Sequence, residues 1–304
     1  MKNALGIGPQ SPSDNQLQKR LRLHQSWWRT FVLGEESGPH PMRSGETVGS
    51  SISGGEQSFS NFLDEYAIRA VKETLEQRNN KSKGMINEKR LFNNLLSSQP
   101  LCFNFFGRLK YNLNMATKVL QYFYPAIKNV TAIHFEFAPN AARNNDNSAH
   151  DVAIEFISGD GKNGLIGLES KYSEPFSPKV YRNDKYKRLF DESAAFSADY
   201  DKVTGTKYNQ LFRNQLILES ALQNGAYDVV YSGLFCYEKD DNATTKGLAF
   251  QNMLKDGENR FKIITFTDFI STIQKQEIDE ETREWSILLW ARYCGIRLSE
   301  EYTK

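Results

Sequence analysis

Asp151, Glu169 and Lys171 are the residues of this chain whose types and spacing could do chemistry. They stand at the matching ends of two strand-like runs, 151–157 and 164–171, joined by a turn containing Gly159 and Gly161. Side chains alternate faces along a strand, so residues two apart share a face. Glu169 and Lys171 are such a pair, and an offset of one residue would send the amine to the opposite side of the sheet. If residues 158–163 form the turn of an antiparallel hairpin, Asp151 lies opposite residues near Glu169, where cross-strand side chains sit roughly 4.5 to 5.5 Å apart. Two carboxylates and one ammonium then converge. That set suits metal-dependent phosphodiester hydrolysis. Hard oxygen ligands hold Mg²⁺ or Mn²⁺, which polarises a phosphoryl oxygen and lowers the pKa of a bound water. The lysine orients or deprotonates that water and offsets charge building on the phosphate. The backbone carbonyl of Ser170, between the acid and the lysine, is a further candidate ligand. Asp160-Gly-Lys162 has the same form, but it falls in the turn, where Asp and Gly serve backbone needs and no strand face aligns the side chains.

Other elements must hold this hairpin in place. Residues 59–77 have helical period, with Phe62, Tyr66, Ala70 and Leu75 on the apolar side. Residues 87–96 and 114–124 are further helix candidates, the second stopped by Pro125. Between them Leu101-Cys-Phe-Asn-Phe-Phe-Gly107 is apolar enough for the core. Residues 130–137 alternate as a strand, and 139–149 read as a polar, Asn-rich loop. His134 in that strand and His150 beside Asp151 could contact metal or substrate, but a lone histidine in a strand is more often structural. Residues 207–223 form a strongly amphipathic helix, with Tyr208, Gln210, Arg213 and Asn214 near its start. Residues 227–237 and 261–266 read as strands buried on both faces, and 281–293 as a closing helix.

Two segments invite a nucleic-acid reading. Lys179, Arg182, Lys185, Lys187 and Arg188 interleave with Tyr181 and Tyr186 just after the acid-lysine pair, which fits phosphate contact and base stacking as well as an ordinary charged loop. Residues 15–33 mix Lys19, Arg20, Arg22 and Arg29 with Trp27 and Trp28; docking of this arm on the body is preferred over contact with a ligand. Residues 34–55, rich in Gly, Ser and Pro, read as a linker or irregular surface loop.

Composition sets limits on these readings. With 304 residues, 39% of them hydrophobic, the chain can bury a substantial core. Thirty-eight basic against thirty-seven acidic residues give a formal charge of +1, so a polyanion would be held by a local patch and not by the overall field. Cys102, Cys236 and Cys294 are too dispersed for a zinc motif or a disulfide framework and read as buried thiols. No apolar run suggests a signal segment or a membrane span, and a cytoplasmic protein is expected.

The order of these elements, helix at 59–77, strands at 130, 151 and up to 171, helix at 207 and strand at 227, resembles the core of the PD-(D/E)xK nuclease superfamily. The runs Leu168-Glu-Ser-Lys-Tyr-Ser-Glu174-Pro-Phe, Phe103-Asn-Phe-Phe-Gly and Tyr208-Asn-Gln-Leu-Phe-Arg-Asn-Gln are similar to an uncharacterised bacterial branch of it. The resemblance implies an α/β fold with a restriction-endonuclease-like core, a mixed central sheet flanked by helices in the order α-β-β-β-α-β. It implies a Mg²⁺-dependent nuclease acting on nucleic acid, with DNA the expected substrate and a homodimer expected if both strands are cut. Asp151, Glu169 and Lys171 map onto the superfamily's motif. His150 stands where its proline usually precedes the first acid. Glu65, on the first helix, and Gln210, on the helix after the third strand, are the positions matched by element order. The expected organisation is an arm and linker (1–58), a nuclease-like core (59–270) and a helical extension (271–304). The rival is a catalytically silent nucleic-acid-binding or protein-interaction module on the same fold.

Overall fold

Asn15 starts the first helix with a reciprocal cap: its side chain accepts from the Gln18 amide while Gln18 returns a bond to the Asn15 N–H. From there α1 (Gln16–Trp27) runs into a wider turn at Trp28–Leu33. In the computed structural model, residues 6–80, 86–139, 149–180, 182–205 and 207–303 are described.

The stretch expected to be a linker instead forms the hairpin β1 (Ser37–Pro39) and β2 (Thr47–Ile52), followed by the short α2 (Gly55–Ser58). Its small residues serve close packing. A Cβ at Gly49 would fall 2.3 Å from the Ile7 carbonyl oxygen and 2.6 Å from Ser26 Oγ, so only glycine lets β2 lie this close to α1. The arm is docked, as preferred above: Trp28 is buried, Arg22 pairs with Asp14, and Arg29 donates to the carbonyls of Gly6, Ile7 and Gly49.

Helix α3 (Glu65–Asn80) begins later than its apolar period suggests, because Asp64 caps it by accepting from the Ala67 amide. After α4 (Glu88–Asn93), α5 (Ser98–Tyr111) occupies the run read only as core. Ten consecutive residues of α5, Pro100 to Leu109, are buried, so it carries no polar face from which a period could be read. A Cβ at Gly107 would lie 2.7 Å from Ala67 Cα, which is how α3 and α5 approach one another. Helix α6 (Leu113–Phe123) precedes the sheet.

The sheet is mixed, with five strands in chain order: β3 (Ile127–Phe137), β4 (His150–Ser158), β5 (Asn163–Lys171), β6 (Val229–Cys236) and β7 (Phe261–Thr265). The first two pairings are antiparallel and the last two parallel. Between β5 and β6 come α7 (Asp184–Glu192), α8 (Tyr200–Val203) and α9 (Asn209–Gln223). The α5 and α6 side of the sheet holds Val152, Ile154, Phe156, Ile166 and Leu168 against Phe103 and Phe106. On the other side Ala153, Leu165 and Val230 pack against Leu218 of α9. The outer edge of β3 is covered by side chains, with Lys110 and Gln121 donating to the Ile133 and Ile127 carbonyls and Thr117 accepting from the Val130 amide.

Helices α10 (Asp241–Gln251), α11 (Gly257–Arg260), α12 (Phe266–Gln274) and α13 (Glu280–Tyr293) follow, and then a 3₁₀ helix over Ile296–Thr303. The arm and the C-terminal helix share the main core, in which Leu21, Trp285 and Tyr293 pack with Phe103 and Phe105. Gln25 ties the three parts together by donating to the Tyr172 hydroxyl and the Arg292 carbonyl. No helix among the described residues is long and apolar enough to cross a membrane.

Candidate active site

Pairing of Val152 with Leu168, carried one residue further, sets Asp151 across from Glu169 on the face that looks toward α9. Ser170 points the other way, where its hydroxyl accepts from Cys102 Sγ of α5 at 3.1 Å. Alternation along β5 thus separates the charged pair from the core. Asp151 Oδ2 accepts the Ser170 amide at 2.7 Å, and Lys171 Nζ donates to Glu169 Oε1 at 2.7 Å.

The Glu169 carboxylate is fixed from both sides. Gln210 Nε2 donates to Oε1, and Asn214 Nδ2 donates to Oε2 at 2.7 Å. Gln210 and Asn214 are four apart on α9 and so share a face of that helix. That four-residue spacing is the signal in the sequence that links Asn214 to Gln210. Amides that orient a ligating carboxylate commonly govern metal affinity by 10- to 100-fold. The Asn214→Ala variant is therefore expected to bind Mn²⁺ about tenfold more weakly than the native protein, read by calorimetric titration.

Glu136 is a further acid, which no motif or spacing singles out. Phe135 pairs with Val152 and Phe137 with His150, so Glu136 stands across from Asp151. Its φ of 49° lies in the left-handed region, uncommon for a residue with a side chain, and Gln99 Nε2 of α5 donates to its Oε1 at 3.0 Å. Glu65 belongs elsewhere: it is exposed in the first turn of α3, which packs on α5, and makes no hydrogen bond or ion pair among the described residues. The helix that lies on the sheet is α5, and α3 packs against α5.

The electrostatics follow from enclosure. Burial, then the charges of Glu169 and Glu136, push the Asp151 carboxyl well above the usual carboxylate range. Burial works against the Lys171 ammonium, but Glu169 and Asp151 outweigh it and hold its pKa above the ordinary lysine value. Among the described residues no three His, Cys, Asp or Glu side chains gather closely enough to hold a metal ion alone. Two carboxylates, with an Asp151 Oδ1 that accepts no hydrogen bond among the described residues and an excess of negative charge, nevertheless fit a hard divalent cation completed by water, backbone or phosphate oxygens.

His150 is fully buried, with neither ring nitrogen hydrogen-bonded among the described residues, and burial together with the Arg213 charge lowers its pKa to about 4. Its ring fills the place a Cβ at Gly167 would take, 2.5 Å away, which marks a packing role. His134 faces Glu155 at 3.7 Å, away from the acid-lysine pair.

The segment after β5 lies over the site. Glu169 is 4% exposed and Lys171 6%, so solvent reaches neither freely. The Phe176 ring stands 5.1 Å from Lys171 Nζ and 5.4 Å from Lys246 Nζ. The Ser177 amide donates to Gln210 Oε1 at 3.2 Å. Glu174 anchors the segment by accepting the Ser98 amide at 2.8 Å, at the start of α5, and Arg90 Nη2 at 2.9 Å. Beyond it, Arg182 bonds Thr204 and pairs with Asp201, Lys187 pairs with Asp191, and Lys185 lies 5.4 Å from the Tyr186 ring. Lys179 and Arg188 are exposed. Tyr181 and most of the Asn-rich loop (140–148) lie outside the described residues.

A family model described as the PD-(D/E)XK nuclease superfamily matches residues 12–295. No curated protein and no solved structure matches the chain.

Proposed function

Because the chain belongs to the PD-(D/E)XK nuclease superfamily, we propose that it is a Mg²⁺- or Mn²⁺-dependent nuclease that hydrolyses phosphodiester bonds in DNA through Asp151, Glu169 and Lys171. The observation that carries this reading is the Glu169 carboxylate, buried and fixed by Lys171, Gln210 and Asn214 beside an Asp151 whose carboxyl resists ionisation. Such an arrangement is costly to bury. A divalent cation is the partner that would relieve it.

Asp151 and Glu169, with the Ser170 carbonyl as a candidate third oxygen, would hold the ion, which supplies Lewis-acid polarisation of the phosphoryl group and an acidified water. Glu169 and Asp151 hold the Lys171 pKa above the ordinary lysine value in the metal-free site, which suits the ammonium to orient the attacking water and stabilise charge on the phosphate. Gln210 and Asn214 keep the Glu169 carboxylate from rotating toward the ammonium alone. The substrate is read out by incubating the native protein with supercoiled, linear and single-stranded DNA and with RNA, each with Mg²⁺ or Mn²⁺. Cleavage of DNA supports the proposal; cleavage of RNA alone would move the substrate, and no cleavage would remove the enzymatic reading.

A further inference from the structure

We propose that the cleft between the β1–β2 loop, α2 and α4 binds the phosphodiester backbone of the strand presented to the candidate active site. The inference rests on the nuclease reading and adds a binding site to it. The cleft has a volume of about 650 Å³. Arg43, Lys89 and Arg90 line it as cations, against Glu56 as an acid; Arg43 pairs with Glu46 and Arg90 with Glu174, so Lys89 is the cation of the three that forms no ion pair among the described residues.

Three asparagines on the same wall have their carbonyl oxygens already committed to backbone amides. Asn87 Oδ1 accepts from Arg90 N at 3.1 Å, Asn93 Oδ1 from Gly55 N at 2.8 Å, and Asn94 Oδ1 from Leu96 N at 3.0 Å. Their NH₂ groups donate to nothing among the described residues and are available to a ligand. The wall is thus rich in donors and cations, the complement of a phosphodiester, whose free oxygens only accept. The cleft is also joined to the chemistry: Arg90 pairs with Glu174, three residues beyond Lys171, on the segment that lies over Glu169. A strand seated there would run from the cleft toward that segment. A free anion such as inorganic phosphate would use the same donors, and the experiment separates the two.

Lys89 is the residue to vary. It is exposed and forms no ion pair among the described residues, so its loss leaves the fold intact. Binding of the full-length protein to fluorescent single-stranded and duplex DNA is measured by anisotropy in EDTA, across a series of NaCl concentrations. Lys89→Ala is expected to weaken binding several-fold and Lys89→Glu further. The slope of log affinity against log salt should fall by about 0.7 for single strands or about 0.9 for duplex, one phosphate contact. Unchanged affinity and slope in both variants overturn the inference, as does full competition by millimolar inorganic phosphate. Cleavage by native protein with no Lys89 dependence of binding would remove the cleft alone. Lys89-dependent binding without cleavage would keep the cleft and remove the nuclease reading.

Discussion

Lys171→Met is expected to lose DNA cleavage by about 10²- to 10³-fold, the range seen when one donor to a developing negative charge is removed. Methionine keeps the length and apolar stem of the side chain while deleting the ammonium. The variant should also be less stable, because Glu169 is left in the interior with two amides and no cation; removing one partner of a buried pair typically costs about 3–5 kcal/mol. Both members are almost wholly enclosed, at 7% and 5% side-chain exposure, so solvent does little to soften that loss. The pH dependence has a definite sign. The folded-state pKa of Lys171 is raised, so the pair's contribution is full below the unfolded lysine value of about 10.4 and fades as pH rises through the folded value. Urea denaturation of native and variant proteins should therefore differ at pH 7–9 and converge in strong alkali. Undiminished cleavage by Lys171→Met would place the chemistry elsewhere.

Asp151→Asn is expected to reverse its rank with the native protein when metal is added. Without metal, the Asp151 carboxyl lies near Glu169 and Glu136, and its raised pKa means that ionising it opposes folding. That penalty is absent below the unfolded value of about 3.9 and grows as pH rises through the folded value. Asparagine removes the charge yet keeps an acceptor for the Ser170 amide. The metal-free variant should then melt higher than the native protein at pH 7–8, with the difference closing near pH 4. With millimolar Mn²⁺ the native protein gains stability in proportion to the logarithm of metal over Kd, and the variant does not. A native protein whose melting temperature ignores Mn²⁺ would contradict the metal assignment.

The hairpin was legible because two physical signals agreed: alternation set which side chains shared a face, and glycines marked where the chain reversed. The helix α9 and the buried strands were legible by the same periodicities. Helix α5 was not, since burial on every side erases the amphipathic pattern by which helices are recognised. Strand β2 was mistaken for loop because small residues serve turns and close packing alike, and only the proximity of α1 distinguishes them. The same limit explains the site. Asp151, Glu169 and Lys171 lie on one hairpin, where local register brings them together. Glu136 and Gln99 arrive from another strand and helix, and a lone acid on an alternating strand resembles any solvated charge. Glu65 was chosen by counting elements, a count that the unrecognised α5 displaced.

The most direct test of the account is cleavage of plasmid DNA in Mn²⁺ by the native protein and by Glu169→Gln, with thermal unfolding of both recorded in parallel. Glutamine preserves the shape held by Gln210, Asn214 and Lys171 while removing the charge that would bind metal. The native protein is expected to cut and the folded variant is not; a folded variant that cuts as well as the native protein would remove Glu169 from the metal site.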